Sequence, residues 1–322
     1  QWSKWIKTCY WEELSKREEA PDMAKAFTDH TKDKSYFNIM PSFSPNGEYL
    51  AFFSDRSDYT GLFIRSTINK KKQWCLLKSG QKGNLESFHL FETKLAWSND
   101  GKYLVFVNKE KNRDRITLYE VEKRQIVKSI DPGLNGVSSP SFAPGDSIIL
   151  FTGFENSRQN LYLYTLSTGE LQAITHDFHT KKDPVFSPDG HRIAFASDRP
   201  FKRDLKSESE AYQKNLGYNQ QNIFVLDINS REIIPVTTDS SLNEYPEWSP
   251  DGRFLAYVSD RNGISNIYLW DSHDSQSRPI TNILSCCKHI TWSKRSDKIA
   301  FTSFVQGGWD IFVLNNPISR LS

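Results

Sequence analysis

The sequence predicts an all-β fold: a six-bladed β-propeller built from four-stranded antiparallel blades. The first observation is an aromatic residue followed by a tight turn, which occurs six times, at Phe43, Trp97, Phe142, Phe186, Trp248 and Trp292. The second is that each copy is followed by further strand-length apolar segments with no helical pattern between them. A repeat of about 44 residues containing several strands is typical of propellers, whose sheets stack around an axis.

The turn is clearest between Ser187 and Gly190, in the order Ser-Pro-Asp-Gly. Proline presets φ near about −65°, the aspartate side chain can bond back to the backbone, and glycine accepts a positive φ. This chemistry predicts a hairpin between the first and second strands of a blade. Ser-Pro-Asn-Gly47, Ser-Asn-Asp-Gly101 and Ser-Pro-Asp-Gly252 repeat it, whereas Ala-Pro-Gly-Asp146 and Ser-Lys-Arg-Ser296 depart from it.

The predicted strands follow in a regular order. Second strands are expected at 49–53, 103–107, 148–152, 193–196, 254–258 and 299–302. Third strands are expected at 61–64, 116–121, 161–164, 223–226, 267–270 and 311–314. Fourth strands are visible at 126–128, 171–175, 233–237 and 278–281. Six units account for nearly the whole chain, so the sequence predicts one propeller domain.

These motifs resemble the repeat of the TolB-like six-bladed propellers. The resemblance rests on Ser-Pro-Asp-Gly190, Ser-Asp198-Arg199 and the strand ending in Asp227, with a second good copy around Asp260 and Asp271. It covers roughly residues 22–316 and is weakest in blade six. The resemblance implies a bacterial-envelope protein that binds protein partners. It does not by itself fix an activity, because propellers host unrelated functions.

The N-terminus divides into two predicted parts. Residues 1–21 place apolar side chains at near-helical spacing, which indicates a short amphipathic helical segment, and residues 22–322 form the propeller. The stretch from Asp22 to His30 resembles the fourth strand from Leu171 to Asp177. We therefore expect it to pair with the last blade and close the ring, which removes an exposed sheet edge; the C-terminal residues 319–322 are the competing candidate.

Two of the spacings between repeats are long. The excess before blade two falls at residues 80–92, and the excess in blade four falls at residues 200–221. Strand alternation places both connections on the same face, opposite the short turns. Loops held by a rigid scaffold often carry function, so this face is the predicted binding face.

Residues that enter the first strands should line the channel mouth on that face. They are Met40, Lys94, Ser139, Asp183, Tyr245 and His289, with Glu244 beside Tyr245. Their mixed charge and aromatic character suits a polar contact with a protein loop. The predicted partner-binding residues are Lys94, Asp183, Glu244, Tyr245 and His289, with apolar anchors at Phe88, Phe91, Tyr212 and Tyr218.

No catalytic motif stands out. The chain contains no Gly-x-Ser-x-Gly elbow, no His-Glu-x-x-His, no phosphate loop and no dinucleotide fingerprint, so no catalytic residue, cofactor or metal is predicted. His176 and His179, with Asp177 and Asp183, could ligate a divalent metal, but the spacing favours a solvated loop. Asp55, Asp198 and Asp260 recur in Ser-Asp-Arg and are expected to be structural.

Composition narrows the function classes. The 41 basic and 39 acidic residues give a net charge of +2, which provides no electrostatic case for nucleic-acid binding. No apolar run is long enough to cross a membrane, and the four cysteines define no disulfide framework. With no catalytic motif in the sequence, the resemblance to TolB-like propellers implies a non-catalytic, extracytoplasmic interaction scaffold whose partner is an envelope lipoprotein or outer-membrane complex. The alternatives are the propeller of a prolyl-oligopeptidase-like serine peptidase and a sugar- or metal-binding propeller.

Overall fold

The computed structural model contains six sheets arranged as propeller blades, as the sequence predicts. It describes residues 5, 9, 10, 15–57, 59–69, 71–80, 86–88, 90, 94–200 and 220–321. The predicted N-terminal helical segment falls largely outside this set and remains a prediction. So do Phe91, Tyr212 and Tyr218 and most of the insertion at 200–221.

The elements follow in chain order. Before blade one lie α1 (Ala20–Met23), β1 (Lys25–Ala26) and α2 (His30–Asp33). Blades one and two comprise β2 (Asn38–Phe43), β3 (Tyr49–Ser54), β4 (Gly61–Ser66), β5 (Gln73–Lys78), β6 (Ser87–Phe88), β7 (Ala96–Trp97), β8 (Tyr103–Glu110), β9 (Arg113–Glu120) and β10 (Gln125–Ile130). Blades three and four comprise β11 (Gly136–Phe142), β12 (Ile148–Glu155), β13 (Arg158–Thr165), β14 (Leu171–Ala173), β15 (Lys182–Phe186), β16 (Arg192–Ser197), β17 (Asn222–Asp227) and β18 (Ile233–Pro235). Blades five and six comprise β19 (Asn243–Trp248), β20 (Phe254–Ser259), β21 (Asn266–Asp271), β22 (Gln276–Pro279), β23 (Lys288–Trp292), β24 (Lys298–Val305) and β25 (Gly308–Asn315), and a 3-10 helix (Pro317–Leu321) follows.

The core lies within and between the blades. In five blades the second and third strands carry aromatic rings stacked at centroid distances of 5.7 to 6.1 Å. These pairs are Phe52–Phe63, Phe151–Tyr162, Phe195–Phe224, Tyr257–Tyr268 and Phe301–Phe312. Neighbouring sheets also share buried clusters, as Phe53 of blade one does with Trp97 and Phe106 of blade two. Burying an aromatic of this size contributes about 1.5–3 kcal/mol.

The innermost strand of blade two is split. Both β6 and β7 pair with β8, as two separate segments of the chain. This corrects the prediction for Phe88, which we expected as a surface anchor. Phe88 is only 7% exposed, and its ring packs 4.9 Å from Phe53 and 5.8 Å from Phe106. Phe88 pairs with Asn108 of β8, so it extends the innermost strand of the blade. Its side chain therefore belongs to the core and not to the binding surface.

The N-terminal strand closes the ring, as predicted. Lys25 pairs with Val313 and Ala26 pairs with Phe312. Thr28 then donates from Oγ1 to Asp310 Oδ1 (2.7 Å) and accepts from the Ile311 backbone N–H (2.8 Å). The same double contact joins outer strand to third strand elsewhere, at Thr175 with Asn160, at Thr237 with Asn222 and at Thr281 with Asn266. β1 therefore acts as the fourth strand of blade six.

The repeated Ser-Asp-Arg motif is structural, as predicted. Asp55 Oδ1 accepts from the backbone N–H groups of Tyr36 (2.9 Å) and Phe37 (3.1 Å), just before β2 begins. Asp198 and Asp260 make equivalent contacts in blades four and five. The neighbouring arginines bind acidic residues in the connection from the preceding blade, in the pairs Arg56–Asp33, Arg199–Asp177 and Arg261–Asp239.

Candidate functional site

A left-handed bulge recurs in the innermost strands. Five residues, each three positions before a repeat aromatic, have φ between 49° and 55° although none is glycine: Met40, Ser139, Asp183, Tyr245 and His289. The strand register shifts at each of them. Bulges re-aim side chains, and strained backbone of this kind tends to cluster at functional sites. The repetition gives five blades the same device at the same end of the channel.

These five residues line one cavity at the channel mouth. It has a volume of about 410 Å³ and is completed by residues of the neighbouring strands, among them Asp114, Gln159, Lys182 and Glu244. The innermost strands begin at this end, and Lys182 pairs with Ala196 at the end of β16. The described residues that flank both insertions, at 86–88 and at 200 and 220–221, therefore lie on the mouth face.

The mouth combines paired polar groups with stacked rings. Ser139 Oγ in blade three donates a hydrogen bond to Asp183 Oδ1 in the neighbouring blade four (2.9 Å). The rings of Tyr245 and His289 meet edge to face at 5.0 Å. Burial, with the nearby Asp183 carboxylate, raises the pKa of Glu244. Burial, with Lys288 and Lys94, lowers the pKa of His289 to about 3, so its imidazole is neutral at physiological pH.

Below the mouth the channel continues as a second cavity of about 300 Å³. Lys94 lines it and donates from Nζ to the Pro246 carbonyl (3.1 Å), with Glu247 Oε2 at 3.8 Å. Burial raises the pKa of Glu247, and Lys94 opposes that shift. The wall of this cavity includes all six repeat aromatics.

The structure brings together the described channel residues that the sequence selected. Asp183, Glu244, Tyr245 and His289 lie at the mouth, and Lys94 lies deeper. Sequence reasoning missed Glu247 and Lys294. Glu247 lies two positions after Tyr245, but the bulge at Tyr245 shifts the register between them, so simple strand alternation does not predict its orientation. Lys294 takes the place of the turn proline in blade six. The departure of this turn from Ser-Pro-Asp-Gly was visible in the sequence and could have drawn attention to Lys294.

No group of three or more His, Cys, Asp or Glu side chains able to hold a metal ion lies within the described residues. Asp177 instead binds Lys181 and Arg199, and His176 lines a separate cleft on blade three. The four residues proposed as a metal alternative therefore do not converge. In the same part of the chain, no helix is long and apolar enough to cross a membrane.

Six blades around a side-chain-lined channel define the class of the protein as a six-bladed β-propeller. A family model described as "TolB beta propeller domain" matches residues 92–205 and 211–320, which is more than half of the chain. The chain therefore belongs to the TolB β-propeller domain family.

Curated relatives carry different names. The chain is 29% identical over 121 residues to "Uncharacterized peptidase YuxL" of Bacillus subtilis, covering 37% of this chain and 17% of that protein. It is 26% identical over 156 residues to "Tol-Pal system protein TolB" of Francisella tularensis subsp. mediasiatica, covering 48% of this chain and 31% of that protein. The match thus spans less than a third of either relative.

Solved structures share the fold at low sequence identity. A putative TolB from Agrobacterium tumefaciens is similar with a TM-score of 0.61 and 16% identity, covering 86% of this chain and 89% of that one. TolB from Acinetobacter baumannii is similar with a TM-score of 0.58 and 16% identity, covering 74% of this chain and 53% of that one. An oligogalacturonate lyase in complex with manganese is similar with a TM-score of 0.60 and 14% identity, covering 92% of this chain and 94% of that one. At these identities the likeness shows the fold alone.

Proposed function

We propose that this chain is a non-catalytic protein-interaction module whose partner binds at the channel mouth. The observation that carries the proposal is the bulge repeated in five blades, which directs Met40, Ser139, Asp183, Tyr245 and His289 to one cavity. A strained backbone conformation costs on the order of 1–3 kcal/mol at each site, so five copies favour a shared purpose. The mouth offers aromatic surface with a polar surround, which is how interface centres are built.

The insertions at 80–92 and 200–221 are proposed to extend this surface. Their flanking residues lie on the mouth face, and the sequence of the second insertion supplies Tyr212 and Tyr218 with a mixed-charge segment. Phe91 is proposed as an anchor from the first insertion. Phe88 is excluded because its ring lies in the core.

The setting we propose is extracytoplasmic, with an envelope lipoprotein or outer-membrane complex as partner. Support comes from membership of the TolB propeller family and from the Francisella relative named as a Tol-Pal system protein. Neither nucleic acid nor a cofactor is part of the proposal, since the charge balance gives no basic surface excess.

A second candidate is the propeller domain of a serine peptidase. The observation that favours it is the match to the Bacillus protein named as an uncharacterized peptidase, of which this chain covers only 17%. In that case catalysis would reside outside these residues, and the channel mouth would face the catalytic domain. Sequencing the full reading frame separates the two candidates.

The test is a comparative capture from bacterial envelope extract. The bait proteins are the wild-type chain, Tyr245→Ala at the mouth and His191→Ala on the turn face, where His191 is exposed. We expect a protein retained by the wild type and by His191→Ala to be lost with Tyr245→Ala. A trimmed variant with 200–221 replaced by a three-residue turn should also lose it. Retention by both mouth variants would overturn the proposal.

A further inference from the structure

A ring of turn residues borders the deeper cavity at the end opposite the mouth. Each lies two positions after a repeat aromatic: Pro45, Asn99, Pro144, Pro188, Pro250 and Lys294. We call this ring the channel floor. Proline offers no N–H donor there, so the two departures from proline supply its only side-chain polar groups. Lys294 Nζ donates to Asn99 Oδ1, and this contact joins blade six to blade two past blade one.

The charges along this cavity are unequal. The lining holds the ammonium groups of Lys94 and Lys294 and the carboxylate of Glu247, and the Asp146 carboxylate acts on Lys294 from outside the lining. Lys294 is exposed to the channel, yet the surrounding walls remove enough water to lower its pKa, while the pKa of Glu247 is raised. An anion placed here would stabilise both ammonium groups, because opposite charge favours the charged form.

Two of the three indole N–H groups of the cavity wall are enclosed without a hydrogen-bond acceptor among the described residues. The indole of Trp97 donates to the Ser42 carbonyl (3.0 Å), but the equivalent N–H groups of Trp248 and Trp292 have no acceptor among the described residues. These two side chains are 5% and 3% exposed. His289 Nδ1 has no partner within the described part of the chain either. These atoms are closed to solvent and so do not contact a ligand directly, but both indole side chains line the cavity, and their resonances can therefore report its occupation.

We propose that the deeper cavity binds a carboxylate group, with Lys294 and Lys94 as its cationic partners. Glu247, 3.8 Å from Lys94, shows how a carboxylate sits beside one of them. The group could be supplied by an acidic residue of the protein partner or by a small free dicarboxylate. Only the first source rests on the proposed function above.

The experiment follows the indole N–H resonances of the purified chain by NMR during titration. The probes are succinate and its neutral analogue succinamide, then the peptides acetyl-Gly-Asp-Gly-amide and acetyl-Gly-Asn-Gly-amide. We expect succinate, and not succinamide, to shift the Trp248 and Trp292 resonances. Lys294→Met should weaken succinate binding by about tenfold, the loss of one charge-assisted hydrogen bond. Arg295→Gln is the matched control, since Arg295 neighbours Lys294 but lines an adjoining groove and not the deeper cavity.

The variants and probes separate the outcomes. Glu247→Gln should tighten succinate binding, because it removes the competing carboxylate. Equal shifts with succinamide, or equal binding by Lys294→Met and Arg295→Gln, would overturn the proposal. A response to the aspartyl peptide as well as succinate assigns the group to a protein source, and a response to succinate alone assigns it to a free dicarboxylate. Loss of capture by Tyr245→Ala without any succinate response would retain the mouth proposal and reject this one.

Discussion

The two ends of the channel are built by the same repeat, but the turn face repeats specific side-chain contacts whereas the mouth repeats only a backbone conformation. At the turn face, serine hydroxyls bond the aspartate or asparagine two residues on, for example Ser98 with Asp100 (2.6 Å). In blades two, four and five, a Cβ added at the turn glycine would contact the turn proline of the preceding blade, as at Gly190, where it would lie 3.4 Å from Pro144. At the mouth the repeat fixes only the backbone bulge, and the side chains differ in every blade.

This difference separates scaffold from surface. Where the turn residues are kept, as in blades one, four and five, the contacts serve the ring itself. Where the backbone is repeated and the side chains vary, five strands present different chemistry to one space. Substitutions at the turn-face aromatics should therefore change stability, and substitutions at the mouth should change binding.

The largest expected effect is at a repeat aromatic. Trp97→Ala should lower the free energy of unfolding by about 3–5 kcal/mol, because it opens a cavity in a buried wall and leaves the Ser42 carbonyl unpaired. Tyr36→Ala, at a side chain 79% exposed beside the mouth face, should change it by less than about 0.5 kcal/mol. Urea unfolding curves measure both. Similar losses of stability for the two variants would contradict the separation of a stabilising scaffold from an exposed surface.

The next effect tests closure of the ring. Thr28→Val keeps the shape but removes both hydrogen bonds to blade six, so it should cost about 1–3 kcal/mol. Thr175→Val removes the matching pair inside blade three and is the control. Thermal unfolding should show comparable losses. If Thr28→Val costs nothing while Thr175→Val costs the full amount, β1 is not holding the ring closed.

Sequence alone reaches most of the fold and part of the site. The turns, strand order and N-terminal closure follow from local chemistry that each blade repeats. The bulges at Met40 and Tyr245 could not be foreseen, because neither residue is one that usually signals a positive φ. Phe88 was misplaced because its strand is interrupted, and the Lys294–Asn99 contact joins blades that are not adjacent.

A smaller effect concerns pH. His289 has a folded-state pKa of about 3, below its unfolded value of about 6.5, so acid favours the unfolded state, which binds the proton first. Its contribution is neutral above about pH 6.5 and costs stability as the pH falls from there towards 3. His289→Asn should therefore lose less stability between pH 7 and pH 5, by on the order of 1 kcal/mol. Urea unfolding midpoints of both proteins at the two pH values measure this. If the wild type and His289→Asn lose the same stability between pH 7 and pH 5, the low folded-state pKa of His289 is contradicted.

Mouth substitutions should have the smallest effect on folding. Tyr245→Ala replaces a partly exposed side chain, so its cost should stay below the cost of Trp97→Ala. Tyr245→Phe keeps the ring contact with His289 and is the conservative control. Calorimetric unfolding measures both. A loss of 3 kcal/mol or more for Tyr245→Ala, on the order of a core truncation, would assign Tyr245 to the scaffold.

The most direct test of the binding face is site-specific photocrosslinking in envelope extract. A benzoylphenylalanine placed at Glu244 lies at the mouth, and one placed at His191 lies on the turn face. The account predicts a discrete crosslinked partner from position 244 and none from position 191. A crosslink from position 191 alone, or equal crosslinks from both positions, would contradict binding at the mouth.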